Sequence, residues 1–331
     1  MNKFAKAMCM TAVVALAFTS CKKNDQSVQS FKLNGVTEQF VEVNEEGGDF
    51  EKAYLDGSNK VQFEQGDAMM VFNLNTTSPH SSVYTLGADN VWSTTGYMNP
   101  ITDGNYYAFY PAGNVVSQDL INGFRATFQL KDTQYYRVDN SGNVMMPKDA
   151  LYMAAKDETA TNLNNAFFDF KNICGMLSMK FYSPSGKKIT SIEIKDNKFN
   201  IVGNVSLKID KIDPTYLTTL FNNYSDDEAY QNTLANYLNG ATNPDNIGYT
   251  VTNSSNVVTL KCVEEGEEGI ALGKTKAKAT RFLVVMRPLA LLEGMTITIH
   301  FSNAEDVIIN STKDNRITPN IIRNMTAYNV G

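Results

Sequence analysis

Strict two-residue alternation recurs along this chain and restricts what it can fold into. Phe124, Ala126, Phe128 and Leu130 alternate with Arg125, Thr127 and Gln129. Val205, Leu207 and Ile209 alternate with Ser206 and Lys208, and Met295, Ile297, Ile299 and Phe301 with Thr296, Thr298 and His300. Successive side chains on a strand point to opposite faces, so each run predicts a strand with one face on a core and one in water. Similar runs cover 68–74, 105–110, 175–181, 189–195 and 281–286. Turn-forming clusters separate them: Asp56-Gly57-Ser58-Asn59, Asn140-Ser141-Gly142-Asn143, Ser183-Pro184-Ser185-Gly186 and Lys313-Asp314-Asn315. Many short strands joined by such turns predict antiparallel β-sandwiches.

One stretch changes period. Leu217, Leu220, Phe221 and Tyr224, then Tyr230, Leu234, Tyr237 and Leu238, follow helical spacing. Asp213 with Pro214 suits a helix start, Ser225 with Glu228 a capping box, and Gly240 a stop. Residues 213–240 are therefore expected to form a short helical insertion, either a cap over one sheet end or a recognition surface. The polar stretch Lys156 to Asn165 divides the chain into an N-terminal sandwich over 31–160 and a C-terminal one over 161–331.

The chain opens with Lys3 and Lys6, then an apolar run from Ala7 to Phe18. A run of roughly a dozen residues falls short of the ~20 needed to span a bilayer and matches a secretion signal. It ends in Ala17-Phe18-Thr19-Ser20-Cys21, where small residues lead into a cysteine as in a bacterial lipobox. Residues 1–20 are thus expected to be a lipoprotein signal, Cys21 the lipidation site, and 21–30 a polar tether. Each buried CH₂ of an acyl chain contributes about 0.8 kcal/mol to membrane attachment, and stable anchoring needs more than one chain.

Once Lys3 and Lys6 are removed, 27 basic residues face 35 acidic ones, a net charge near −8. That balance argues against nucleic acid, which needs a concentrated basic surface. His80 and His300 are the only histidines, too few and too far apart in sequence to suggest a metal site, and no cofactor motif is present. Asp139, Ser141 and Asn143 begin like a calcium loop, but the twelfth position is Ala150, which has no side-chain oxygen. Paired carboxylates of a glycosidase leave no local signature, so the sequence leaves a glycan hydrolase open as the most distant reading. Cys174 and Cys262 could pair in an exported protein, although Cys262 shares its face with Val258 and Leu260 and reads as a small buried residue. Trp92 and the rings of Tyr106, Tyr107, Phe109 and Tyr110 suggest either core or a sugar platform. Alternation along that strand assigns at least half of them to the core.

Several stretches together resemble one family. They are Lys52 to Gly57 (KAYLDG) followed by Val61 to Asp67 (VQFEQGD), then Tyr106 to Pro111 (YYAFYP) and Phe170 to Leu177 (FKNICGML). Phe282 to Pro288 (FLVVMRP) and Thr318 to Val330 (TPNIIRNMTAYNV) complete the set, in the family's order. The chain resembles the fimbrillin-like, or Mfa-like, lipoproteins, type V pilus subunits of Bacteroidales-type bacteria. Phe63 at the usual tryptophan place, and Asn320-Ile321-Ile322 where a Gly-Lys pair is common, depart from the pattern.

The resemblance implies two tandem transthyretin-like sandwiches; the lack of catalytic and cofactor motifs in the sequence separately predicts no enzymatic activity and no cofactor. The resemblance also implies an outer-membrane or cell-surface lipoprotein that is the anchor, stalk or tip of a fimbrium. Its partners would be other fimbrial subunits through donor-strand pairing, the membrane through Cys21, and a host protein or glycan. Such pairing draws affinity from main-chain hydrogen bonds and specificity from alternating pockets. Family stalk subunits are cut after arginine, yet no arginine lies between Cys21 and Arg125. Lys52 and Lys60 are the candidate processing sites instead. The strand released would be about Ser27 to Val43, with Phe31, Leu33, Val36, Phe40 and Val43 as anchors, and the donor would be Met325 to Val330. The alternative is a carbohydrate-binding lipoprotein of a glycan-uptake system, using Trp92.

Overall fold

The structure is a computed structural model. It describes residues 29–32, 34–44, 61–73, 80–94, 106–119, 125–139, 142–147, 150–208, 249–291, 293–312, 315–317 and 319–331. Cys21, Lys52, Lys60 and the expected insertion at 213–240 lie outside these residues.

The chain is mainly β. An eight-stranded sheet runs, from one edge to the other, through Gln29–Phe31 (β1), Trp92–Thr94, His80–Leu86, Ala68–Asn73, Tyr106–Tyr110, Met153–Asp157, Phe167–Asn172 and Asn34–Thr37 (β2). All its pairings are antiparallel except that of β2 with Phe167–Asn172. A second sheet orders Thr280–Met286, Gly175–Tyr182, Ile321–Asn324 and Val41–Asn44 (β3), with Tyr328–Asn329 also paired to Gly175–Tyr182. A third orders Thr133–Tyr135, Val257–Lys261, Lys188–Asp196, Met295–Phe301 and Val307–Ser311, and Ile270–Ala271 joins it at Lys188–Asp196. A fourth orders Tyr249–Ser255, Val202–Lys208, Arg125–Leu130 and Val115–Asp119. Strands from before residue 160 therefore take part in all four. A small ladder pairs Leu289–Leu291 with Asn315–Ile317.

The alternating runs translate directly into cross-strand rows. Ile192 stands between Leu260 and Ile299, and Ile194 between Val258 and Ile297; all six are buried. The intervening row sets Thr298 between Glu193 and Ile308, and Ile308 is exposed. Such same-face pairs are the unit of sheet stabilisation.

Alternation fails at Tyr106–Tyr110, where all five residues are buried. This strand lies in the middle of the eight-stranded sheet, and both of its faces are covered. On one side Phe109 packs on Phe72 and on Phe128 of the fourth sheet, with ring centroids 5.2 and 4.7 Å apart. On the other, Phe63 sits edge-on to Trp92, Tyr110 and Phe170 at 5.4, 5.1 and 5.6 Å. Phe63 is thus the hub of an aromatic cluster.

The polar connection after Met153–Asp157 is organised by Asp157. Its carboxylate accepts from the backbone N–H groups of Thr159 (2.8 Å), Ala160 (3.0 Å) and Phe167 (2.8 Å). The stretch at Asp139 is a hydrogen-bonded turn in which Asn143 donates to both carboxylate oxygens, at 2.8 and 2.9 Å. Cys174 and Cys262 are both buried and free, so they do not form the disulfide that export would permit. Burial in apolar surroundings pushes both thiols up to about 12.

Candidate functional site

The N-terminal segment is not one strand but three short ones, each added to a sheet edge. β1 pairs antiparallel with Trp92–Thr94, and β2 parallel with Phe167–Asn172. These are the two outer positions of the eight-stranded sheet. β3 pairs parallel with Ile321–Asn324 at the edge of the second sheet. β1 begins at Gln29, inside the stretch expected to be tether.

Phe31 and Phe40 are the buried anchors. Phe31 packs edge-on against Tyr84 at 5.0 Å. Val36 is 46% exposed and anchors nothing, and Leu33 lies outside the described residues. Gly35 permits a close approach: a Cβ there would fall 2.1 Å from the Phe168 carbonyl oxygen. Only glycine lets the two backbones meet. At the end of β2, Thr37 Oγ1 donates to the Val61 carbonyl at 2.8 Å, and just past it Glu38 N–H donates to the Phe170 carbonyl at 2.8 Å.

Polar contacts then fasten β3. Glu42 is 7% exposed and forms an ion pair with Arg281. It also accepts from Asn324 Nδ2 at 3.0 Å, and Arg281 Nε donates to Ser178 Oγ at 2.9 Å. A nearly buried carboxylate is tolerated only when paired in this way. Glu38 lies close by, and its carboxyl is raised above the ordinary range by burial, an effect opposed by the Asn172 N–H donating at 3.1 Å. Asn172 Nδ2 donates to the Glu38 carbonyl at 3.2 Å and to Asn320 Oδ1 at 2.7 Å. Asn320 takes φ 62°, a conformation glycine adopts freely and asparagine tolerates. The asparagine therefore suits the backbone at this position.

Glu38, Glu42, Asn172, Arg281 and Asn324 were missed by the sequence reading. One signal was available, since Glu42 shares the period-two face of the anchor Phe40 and must point inward with it.

Lys52 and Lys60 lie in the chain between β3 and Val61, so a cut at either would leave β1–β3 held by non-covalent contacts alone. The expected donor run is itself occupied. Tyr328–Asn329 pairs parallel with Phe181 and Tyr182, and Val330 N–H donates to the Tyr182 carbonyl at 3.0 Å. Lys187 Nζ donates to the Val330 carbonyl at 2.6 Å, and Ser185 Oγ to the Gly331 carbonyl at 2.8 Å. Trp92 is 1% exposed, and Tyr106, Tyr107, Phe109 and Tyr110 are buried with it. Of the two readings of these rings, core and sugar platform, the structure bears out the core, because both faces of the Tyr106–Tyr110 strand are covered. His80 opens a strand of the first sheet, while His300 in the third pairs through Nδ1 with Asp306 at 2.8 Å.

No family model and no curated protein sequence matches the chain. Among solved structures it is similar to a candidate cell adhesion protein from Bacteroides ovatus, with 8% identity over 92% of this chain and 93% of that one and a TM-score of 0.48. A fimbrial protein from Bacteroides ovatus shares 12% identity over 92% of this chain and 50% of that one, with a TM-score of 0.39. The tip fimbrial protein Mfa3 from Porphyromonas gingivalis, truncated at its C-terminus, shares 10% identity over 73% and 74%, with a TM-score of 0.25.

Proposed function

We propose that this chain is a fimbrillin-type surface lipoprotein, a structural or accessory subunit of a fimbrium that contributes to adhesion without catalysis. In this reading acyl chains on Cys21 hold it to the outer membrane. Two tandem sandwiches form its body, with β3, Arg125–Leu130 and Thr133–Tyr135 pairing across the proposed boundary near residue 160, and strand exchange joins it to its neighbours. One observation carries the reading: residues 29–44 supply both edges of the eight-stranded sheet and one edge of the second. Loss of this segment would expose three strand edges and the pockets of Phe31 and Phe40. An unpaired edge is a template for another chain. The remainder would keep its other ladders, since β1–β3 contribute edge strands alone.

The absence of arginine between Cys21 and Arg125 favours an anchor or accessory role, or processing at Lys52 or Lys60, over an arginine-processed stalk subunit. The docked C-terminal strand favours the same choice, because a donor would first have to peel from Gly175–Tyr182. Limited lysine-specific proteolysis followed by size-exclusion chromatography tests the proposal. Ordered oligomers that require cleavage, and that are lost when Asn324 to Gly331 are deleted, support a polymerising subunit. Oligomers that form without cleavage, or cleaved protein that stays monomeric and folded, count against strand exchange.

A further inference from the structure

The third and fourth sheets share two neighbouring crossings. The chain leaves Arg125–Leu130, passes Lys131 and Asp132, and enters Thr133–Tyr135. Beside it, Tyr249–Ser255 passes Asn256 into Val257–Lys261. Thr259 N–H donates to the Asp132 carbonyl at 2.7 Å and ties the two together. Where the sheets part, a cleft of about 380 Å³ opens. Small-molecule sites fall in the range of about 300–1,000 Å³.

The sequence builds each wall of this cleft. Phe128, Leu130 and Val205 are buried, so the alternating Gln129 and Asn204, which are cross-strand partners, occupy the outward face. The Val202–Lys208 strand bulges against Tyr249–Ser255 between Val202 and Asn204, with Gly203 at φ 139° and Asn253 at φ 45°. A Cβ on Gly203 would meet Ser254 Cα at 2.7 Å, so the bulge requires glycine. Bulges re-aim side chains and occur often beside sites. On the facing wall Gln134 is wholly buried; its Nε2 donates to the Val285 carbonyl at 2.7 Å, and its Oε1 accepts from Val285 N–H at 2.9 Å. This amide clamp fixes the strand and leaves Thr133 and Tyr135 on its other face, where both line the cleft. Tyr135 is 39% exposed.

We propose that this cleft binds a neutral saccharide, with Tyr135 as the stacking ring and Gln129, Asn204, Asn253 and Thr133 as hydroxyl partners. An amide both donates and accepts, as a sugar hydroxyl does. Among the described residues, no hydrogen bond occupies the side-chain amides of Gln129, Asn204 or Asn253. A tyrosine presents an apolar face with a polar tip, which suits the C–H face of a pyranose and its rim hydroxyls. The charges of Lys131 and Asp132 oppose each other at the cleft, which disfavours an anion. The inference names a ligand class for adhesion but does not depend on how subunits assemble.

The test is a printed panel of neutral, sialylated and sulfated oligosaccharides probed with the full chain, followed by titration of any hit. Binding of at least one neutral glycan is expected. Tyr135→Ala and Asn204→Ala should each weaken it about tenfold or more, in the manner of a hot-spot residue. Val138→Ala, an exposed change outside the cleft, should leave it unaltered. Unchanged melting curves would show that the variants fold. No binding across the panel, selection of anionic glycans only, or undiminished binding by both cleft variants would overturn the proposal. Chain association measured on the same variants keeps the two readings apart, because strand exchange does not use Tyr135 or Asn204.

Discussion

Glu42 on β3 forms an ion pair with Arg281 on the Thr280–Met286 strand, 239 residues further along the chain. Asn324 and Ser178 complete the contact, so one carboxylate links the N-terminal segment to two strands of the second sheet. Arg281→Ala should therefore destabilise the fold by about 2–4 kcal/mol. That is somewhat below the full penalty for a buried pair, because Arg281 keeps some contact with water. Glu42→Gln should cost less, since an amide can still accept from Asn324. Urea melts of the two variants check the order; an equal or reversed cost would show that the pair does not hold β3.

Gly35 faces the Phe168 carbonyl at a separation that admits no side chain. Gly35→Ala should push β2 off its edge at a cost of about 1–3 kcal/mol, the usual penalty of overpacking. Hydrogen exchange should quicken at the Glu38 amide, whose acceptor is Phe170, while the Ile297 and Ile299 amides keep their protection.

Ile299 and Thr298 are neighbours on one strand with opposite faces. Ile299→Ala should lose about 2–5 kcal/mol as a buried truncation. Thr298→Ala should stay within roughly 0.5 kcal/mol, as changes away from the core do. Equal losses in denaturant melts would mean that the faces are exchanged.

Glu38 gives the docked segment a pH dependence. Burial raises its carboxyl above the ordinary value of 4.5, so the folded state favours the protonated form. The stability this contributes is present in full below that ordinary value and is lost as pH rises through the raised one. Glu38→Gln keeps an acceptor for the Asn172 N–H and carries no charge. It should leave the acid-side stability nearly unchanged, raise stability at neutral pH, and flatten the difference between them. A variant with the wild-type pH profile would assign that dependence to other groups.

Cys21 is the sole expected acylation site. Cys21→Ala should abolish incorporation of labelled palmitate and move the protein from the membrane to the soluble fraction. Retention of both label and membrane attachment would overturn the lipoprotein assignment.

Period-two runs were legible because a strand's faces are a local property. Ile192, Ile194, Ile297 and Ile299 needed no partner to declare which way they point. The polar stretch near residue 160 was visible as composition, but the strand pairings that cross it were not. Thr133–Tyr135 pairs with Val257–Lys261, and β3 with Ile321–Asn324, through backbone hydrogen bonds that carry no residue-type signature. The candidate sites divide in the same way. Cys21, Lys52 and Lys60 are recognised by neighbours in sequence, as a protease or a lipid transferase would recognise them. The Glu42–Arg281 pair and the cleft at Tyr135 exist only once distant strands are in register.

Tyr106–Tyr110 marks the division most sharply. Sequence alone determined that these five residues form a strand, since aromatic residues fit a pleated sheet. It also determined where that strand ends, at Pro111, which has no N–H to donate to a ladder. Tertiary structure decided that none of the rings is a binding surface. Phe63 and Phe128, from segments far from one another in the chain, close over its two faces, and whether a face is covered depends on where distant sheets pack rather than on the residues that compose it.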